Sequence, residues 1–160
     1  MKQLIILRHA KTERDHPDGD RARQLTKRGK RDSRAAARAL LDAAGMPDAI
    51  LSSPATRAMQ TADLVAHEID YEGQIETVAD IYMGGLDELV RVVHALPVGT
   101  STILLVGHNP GFLDLVNWYL GDAAPRDHLP TAAFAVATAA VDQWDQLVPD
   151  QCTVSPVVAP

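Results

Sequence analysis

Residues Leu4–Arg14 have the sequence Leu-Ile-Ile-Leu-Arg-His-Ala-Lys-Thr-Glu-Arg. The change from apolar to polar residues after Leu7 indicates both the fold and the position of a site. The first four residues of this stretch are continuously apolar, which predicts a strand buried on both faces, as in a parallel sheet. The strand ends in Arg8 and His9 rather than in turn residues. Because ligands of open α/β sheets bind beyond the carboxyl ends of the strands, we expect a binding site at this end.

The rest of the chain alternates predicted helices with predicted strands. Apolar spacing and capping residues predict helices over 26–44, 53–68, 86–96 and 111–120, and short apolar runs predict strands over 49–52, 75–78, 102–106 and 132–141. Ser53 is expected to cap the second helix, with Pro54 in its first turn. This alternation is typical of the α/β class, so we predict a three-layer α/β/α sandwich with a mostly parallel central sheet.

Length and composition bound the organisation of the chain. Its 160 residues suit one domain, which we place at 1–148, followed by a proline-rich tail at 149–160 that we expect to be partly extended or disordered. Cys152 is the single cysteine, so no intrachain disulfide can form. We see no signal peptide and no apolar run long enough to cross a membrane, and we expect a cytoplasmic monomer with no membrane partner.

The formal net charge of −6 argues against a nucleic-acid partner held by a general basic field. It is compatible with a local basic pocket inside an acidic protein. No cluster of cysteine, histidine and aspartate has the spacing of a metal site, and no P-loop, dinucleotide fingerprint or serine-nucleophile elbow occurs. The remaining chemistry is concentrated at Arg8-His9 and in three later segments, which are Arg-Gln-Leu-Thr-Lys-Arg-Gly at 23–29, Ser-Ser-Pro-Ala-Thr-Arg-Ala-Met-Gln-Thr-Ala at 52–62 and Val-Gly-His-Asn-Pro at 106–110.

In order and spacing, these four blocks resemble the histidine phosphatase superfamily (branch 1), and most of all its small, capless members, the SixA-type phosphohistidine phosphatases. Ala10 stands where the family usually has glycine, and Gln24 stands where it usually has proline. The resemblance implies the phosphoglycerate mutase-like fold, a phosphatase that acts through a phosphohistidine intermediate, and no cofactor.

The residues themselves suit phosphoryl transfer. A neutral His9 is the candidate nucleophile, and the guanidinium groups of Arg8 and Arg57 are candidate clamps for phosphate oxygens. By resemblance, His108 is the second active-site histidine and donates a hydrogen bond to the phosphate. The resemblance also implies Arg23 as a further candidate for binding phosphate. It implies Asp80 as the candidate proton donor, because related enzymes place a glutamate before a Gly-Gly-Leu turn and Asp80 stands at a similar offset here.

Three functions compete at this point. The leading hypothesis is a metal-independent phosphatase that removes phosphate from phosphohistidine on a partner protein, because no long insertion forms a cap over the site. The alternative within enzymes is a small-molecule phosphomonoesterase or mutase with the same nucleophile. A non-catalytic phosphate-binding adaptor is the alternative from another class, although His9 would then serve no purpose that a lysine could not serve better.

Overall fold

The computed structural model describes residues 1–121 and 125–160. Its centre is a six-stranded sheet in the order β3-β2-β4-β1-β5-β6. The strands are β1 (Lys2–Arg8), β2 (Ala49–Ser52), β3 (Ile75–Thr77), β4 (Thr102–Gly107), β5 (Phe134–Ala139) and β6 (Cys152–Val154). The α-helices are α1 (Lys27–Ala44), α2 (Thr56–Glu68), α3 (Asp80–Met83), α4 (Leu86–His94) and α5 (Gly111–Leu120), and single 3₁₀ turns cover Asp20–Ala22, Trp144–Gln146 and Pro149–Gln151.

The predicted α/β sandwich with a mostly parallel sheet is confirmed. Strands β3, β2, β4 and β1 are parallel to their neighbours, whereas β5 runs antiparallel to β1 and β6 antiparallel to β5. Strand β5 alone therefore runs against the other five, and β6 can pair antiparallel with it because only two short 3₁₀ turns, and no helical crossover, separate the two strands.

The apolar run of β1 is continuous because helices cover both faces of the sheet. Leu4 and Ile6 belong to a core shared with α4 and α5, whereas Ile5 and Leu7 belong to a second core shared with α1 and α2. Successive side chains of a strand point to opposite faces, so a strand between two helical layers needs an apolar residue at every position.

Helix α1 begins and ends as predicted. The Thr26 hydroxyl caps it by accepting a hydrogen bond from the Gly29 N–H (3.0 Å), and Gly45 follows its last turn with a φ of 79°. Gly29 packs so closely on the backbone of Lys11 that any Cβ at this position would collide with the Lys11 carbonyl oxygen. The start of α1 is therefore fixed against the loop that follows β1.

Two expectations at helix ends need correction. Helix α2 begins at Thr56, its N-cap is Ala55, and no side chain caps it, so Ser53 is not a capping residue. The predicted helix over 86–96 ends at His94. It is preceded by the four-residue helix α3, which begins at Asp80 and which the sequence did not predict.

The segment predicted as a proline-rich tail is joined to the sheet. Within it, β6 pairs with β5, and the Phe134 and Val158 backbones exchange two hydrogen bonds of 2.9 Å. Its prolines occupy positions that need no N–H donor, since Pro149 opens a 3₁₀ turn and Pro156 lies exposed between the two pairings. Among the helices of the described ranges, none has the length and apolar character needed to traverse a bilayer.

Candidate active site

The ends of β1 and β4 bring two histidines together. Arg8 is in register with Gly107, and the His9 N–H donates to the Gly107 carbonyl oxygen (2.9 Å). The residues that follow each strand are therefore neighbours, and the imidazole centroids of His9 and His108 lie 5.1 Å apart. Both histidines are 8% exposed.

A polar cavity of about 300 Å³ opens at this edge of the sheet. It is lined by Arg8, His9, Lys11, Thr12, Glu13, Arg14, Arg23, Arg57, His108, Asn109 and Thr131. Five separate parts of the chain contribute to it, and five of the lining residues are lysine or arginine. The cavity thus combines a strongly positive lining with two imidazoles, which suits a phosphoryl group.

The tautomer of His9 is set by its own neighbour. Its Nδ1 lies 2.8 Å from the carbonyl oxygen of Ala10, which can only accept, so Nδ1 carries the proton of the neutral ring. Nε2 is then unprotonated, and its lone pair is available. The Ala10 N–H in turn donates to the Thr61 hydroxyl (3.1 Å), so the peptide that orients His9 is itself held by α2.

The tautomer of His108 is set by Ser53. The Ser53 hydroxyl lies 2.7 Å from Nε2 of His108 and accepts a hydrogen bond from the Ala55 N–H (3.2 Å). The hydroxyl meets no other acceptor among the described residues, so we assign its proton to the bond with Nε2 and the ring proton to Nδ1. That Nδ1 is buried and finds no partner among the described residues.

Burial and positive charge keep both rings neutral. Desolvation, with smaller contributions from His108, Arg57 and Arg8, lowers the pKa of His9 to about 3. Desolvation, followed by Arg57 and Arg8, lowers the pKa of His108 to about 4. At neutral pH His9 therefore keeps the lone pair that a nucleophile requires.

Each predicted clamp residue lines this cavity and has one buried guanidinium nitrogen without an acceptor among the described residues. Arg57 is 7% exposed, and Arg8 anchors its Nη1 on the Leu129 carbonyl oxygen (2.9 Å). The Nε atoms of Arg8 and Arg57 are buried and make no hydrogen bond to the described residues. Together with Nδ1 of His108, they are three unpaired nitrogens on residues that line the same cavity as His9.

An aspartate already binds the outer edge of Arg57. Nη1 of Arg57 donates to the Asp20 carbonyl oxygen (2.8 Å) and Nη2 to its carboxylate (3.1 Å). The same carboxylate accepts from Arg23 (2.9 Å) and from the Tyr82 hydroxyl (2.9 Å). The hydrogen bonds from Arg23, Tyr82 and Arg57, together with the charge of Arg57, lower the pKa of Asp20 to about 2, so the group is ionised at neutral pH.

The structure places the other expected site residues as follows. Arg23 lines the cavity, but its nitrogens are bonded to Glu13, Asp20 and Thr12 within its own loop. Asp80 does not line this cavity. It is exposed at the start of α3 and lines a separate cavity with Glu76 and Arg91, so the structure gives it no position beside His9. Within α3 it is Tyr82, two residues further on, whose side chain lies against the site.

Three residues at the site were missed by the sequence reasoning: Ser53, Asp20 and Tyr82. Tyr82 also packs edge-on against His108, with ring centroids 5.7 Å apart. Ser53 lies in the segment at 52–62 that the sequence analysis singled out, but it was interpreted there as a helix cap. Asp20 and Tyr82 are placed by contacts between residues 62 positions apart, for which the sequence has no local signal.

Gly107 has a packing role that the sequence did not indicate. A Cβ there would approach the Phe112 ring to 2.5 Å and the Ile81 side chain to 2.7 Å.

In the described part of the chain, no three histidine, cysteine, aspartate or glutamate side chains group in a way that could hold a metal ion.

Comparisons with known proteins agree with this geometry. Residues 4–95 match the family model of the histidine phosphatase superfamily (branch 1). The SixA structure from Nakamurella multipartitia, assigned as a phosphohistidine phosphatase, shares 26% identity, with a TM-score of 0.83 over 99% of this chain and 96% of that one. The structure of protein histidine phosphatase SixA complexed with tungstate shares the fold, with 24% identity and a TM-score of 0.84 over 98% and 96% of the two chains.

An uncharacterised chloroplastic protein of Arabidopsis thaliana is 28% identical over 156 residues, which cover 91% of this chain and 70% of that protein. Since the family model covers more than half of the sequence, the chain belongs to the histidine phosphatase superfamily (branch 1). The predicted resemblance to the SixA type is confirmed, and the protein is a phosphatase.

Proposed function

We propose that this phosphatase transfers a phosphoryl group to His9, and that its substrate is phosphohistidine on a partner protein. The observation that carries the proposal is the set of three buried, unpaired donors beside a neutral imidazole: Nε of Arg8, Nε of Arg57 and Nδ1 of His108. A tetrahedral oxyanion supplies several acceptors at once and would satisfy all three donors.

The first step is attack of Nε2 of His9 on phosphorus. A bond forms between Nε2 and phosphorus while the bond between phosphorus and the substrate nitrogen breaks. The phosphorylated substrate ring carries a proton on its other nitrogen, so it leaves with that electron pair as neutral imidazole. Arg8, Arg57 and His108 bind the equatorial oxygens and stabilise the charge spread over them in the transition state. Nδ1 of His9 keeps its proton throughout, since its N–H donates a hydrogen bond to the Ala10 carbonyl oxygen.

The second step is hydrolysis of phosphohistidine at His9. A water oxygen attacks phosphorus, the bond to Nε2 breaks, and the water proton ends on the departing phosphate. His9 returns to the neutral tautomer with which it began. The low pKa of His9, about 3, means that the ring does not need to lose a proton before the next turnover.

Two carboxylates favour a nitrogen leaving group: Glu13 lines the cavity, and Asp20 lies beside it, hydrogen-bonded to Arg57. Asp20 has a pKa of about 2 and carries no proton at neutral pH, and the Glu13 carboxylate accepts the Gln24 N–H (3.0 Å) at the rim. An alkoxide is a strong base and needs a proton donor as it leaves, whereas an imidazole is a far weaker base. These carboxylates are therefore better suited to phosphohistidine than to phosphate esters.

Phosphoenzyme trapping tests the proposal. A phosphotransfer protein labelled with ³²P on histidine is mixed with the phosphatase for milliseconds and quenched in alkali, which preserves phosphohistidine. We expect label on His9 in the parent protein and none in His9→Asn, with exposed His67→Asn as the matched control. Faster turnover of sugar phosphates than of the phosphoprotein would favour the small-molecule alternative. Vanadate binding without a phosphoenzyme would favour the adaptor.

A further inference from the structure

Positive charge is concentrated in one short part of an acidic chain. Residues 11–38 contain ten of the 15 lysines and arginines but only five of the 21 acidic residues, an excess of five positive charges in a chain whose net charge is −6. The remainder is therefore strongly acidic. Such a division of charge gives the molecule one face that attracts anions and another that repels them.

Half of these ten positive side chains lie on the outer face of α1. Lysine or arginine occupies five exposed positions at helical spacing, which we call the basic stripe: Lys27, Lys30, Arg31, Arg34 and Arg38. Residues three and four apart share one helix face, and the buried residues of α1 lie on the opposite side. Over eleven residues the stripe extends roughly 17 Å, at a rise of about 1.5 Å per residue.

The ion pairs of the stripe leave it positive. Arg34 and Arg38 share the single carboxylate of Glu68, at 3.9 and 2.6 Å, and Arg31 reaches Asp32 only at 3.6 Å. Across the ranges that the structure describes, no carboxylate lies within ion-pair distance of Lys27 or Lys30. Both lysines are exposed, so their charges are available to a partner.

The position of these charges opposes the stability of the helix. The first turn of α1 holds no acidic residue, and its first five residues include Lys27, Arg28, Lys30 and Arg31. The amino end of a helix carries partial positive charge, so cations there are unfavourable. Proteins place residues against such a local preference at functional sites, so these cations indicate a functional surface.

The basic stripe begins at the mouth of the active site. The Thr26 N–H and hydroxyl both donate to the Lys11 carbonyl oxygen, at 2.9 and 3.2 Å, and Lys11 itself lines the cavity. Arg14, also exposed, lines the same cavity. Positive surface therefore continues from the cavity mouth along α1.

We propose that this surface docks an acidic face of the protein that carries the phosphohistidine. The inference rests on the proposed function and adds the means of partner selection. A small phosphate ester within the cavity would be beyond the reach of most of the stripe, because charges are screened over about 8 Å at physiological salt. A folded acidic domain would contact the stripe and the cavity together, and its encounter rate would rise through electrostatic steering.

The remaining charge of the molecule favours a compact protein over an extended polyanion. A membrane or a nucleic acid presents negative charge well beyond the stripe, where it would meet the acidic remainder of the chain. A protein domain presents a bounded acidic patch, which can match a stripe of this length.

The test compares two variants that change net charge equally. Lys27→Gln/Arg31→Gln neutralises two positive charges on the stripe, and Arg91→Glu changes the charge by the same amount on exposed α4, away from it. Each variant is assayed with free phosphohistidine, with a phosphohistidine carrier protein of acidic surface, and with one of basic surface, between 20 and 300 mM salt. Free phosphohistidine reports folding and chemistry separately from docking.

We expect Lys27→Gln/Arg31→Gln to lower kcat/KM for the acidic carrier about fivefold at low salt, with less effect at high salt. Turnover of free phosphohistidine should not change, and Arg91→Glu should leave both rates near those of the parent. Equal rates for parent and double variant on the acidic carrier would overturn the docking proposal. The proposal would also be overturned if the parent, but not the double variant, bound phosphatidylserine vesicles or duplex DNA while both turned over the acidic carrier at the same rate. Failure of the parent and both variants to hydrolyse phosphohistidine in any form, free or on either carrier, would instead refute the proposed function.

Discussion

His9 is oriented by a hydrogen bond within its own dipeptide, and its charge state is set by burial. We expect its ring to titrate with a midpoint of about 3 in the folded protein, and near 6.5 in urea. Protonation removes the lone pair, so kcat/KM should stay flat from pH 8 to pH 5 and decline only as the pH approaches about 4. Nitrogen-15 NMR of the imidazole ring measures both the titration and the tautomer.

His9→Asn identifies the resonance in that experiment by its loss. A folded-state midpoint near 6.5, or a neutral ring with its proton on Nε2, would contradict the assignment of His9 as a nucleophile that is ready at neutral pH. Uncatalysed decay of the substrate at low pH must be subtracted from each rate.

Ser53 acts on the reaction through His108. We expect Ser53→Ala to release the tautomer of His108 and to lower kcat about tenfold, within the range for loss of an oriented hydrogen-bonding group. Its nitrogen-15 ring shifts should show a mixture of tautomers in place of a proton fixed on Nδ1. A purely structural role for Ser53 would lower stability without changing those shifts.

Ser52→Ala is the matched control for this variant. Ser52 is as fully buried as Ser53, but its hydroxyl donates to the Ser53 carbonyl oxygen rather than to the histidine. We expect this control to leave both kcat and the tautomer of His108 unchanged.

At the scale of elements, the loop after β1 is tied across the site by Asp20. Its carboxylate joins the 3₁₀ turn at Asp20–Ala22 to α2 through Arg57 and to α3 through Tyr82. Asp20→Asn keeps the shape of the side chain but removes a negative charge beside the phosphate site. We therefore expect inorganic phosphate to bind about three- to tenfold more tightly, by calorimetry at low salt.

Asp18→Asn removes the same charge two residues away, where the carboxylate is paired only with His16 at 3.8 Å. Phosphate affinity should change little in this variant. Weaker phosphate binding in Asp20→Asn than in the parent protein would mean that orientation of Arg57 outweighs charge.

The elements were predictable where local pattern decides them. Helix α1 follows from its apolar spacing, Thr26 and Gly45, and β1 and β4 follow from continuous apolar runs. The residues after those strands were expected at one sheet edge, and the structure brings His9 and His108 together there. Asp20 could not be predicted, because its partners come from α2 and α3 and only the tertiary fold makes them neighbours.

At the scale of the whole molecule, the final segment determines how the sheet ends. Residues 149–158 cover β5 through β6 and the Phe134–Val158 pairing. Truncation after Val148 would expose the backbone edge of β5 and the apolar groups beneath. We expect the Tm to fall by about 5 °C or more, equivalent to about 2 kcal/mol, and aggregation to increase.

Removal of exposed Ala159 and Pro160 alone is the control, and it should leave the Tm unchanged. If the protein truncated after Val148 melts at the parent temperature and stays monomeric, residues 1–148 form an independent domain, as the sequence predicted. Calorimetry and light scattering distinguish these results.

The bond from His9 to the Ala10 carbonyl oxygen spans a single peptide unit. Substitutions in residues 11–24, which form much of the cavity rim, therefore leave the bond that orients His9 in place. An engineer could graft a different rim loop to change which phosphorylated molecule is accepted, without retuning the group that attacks it.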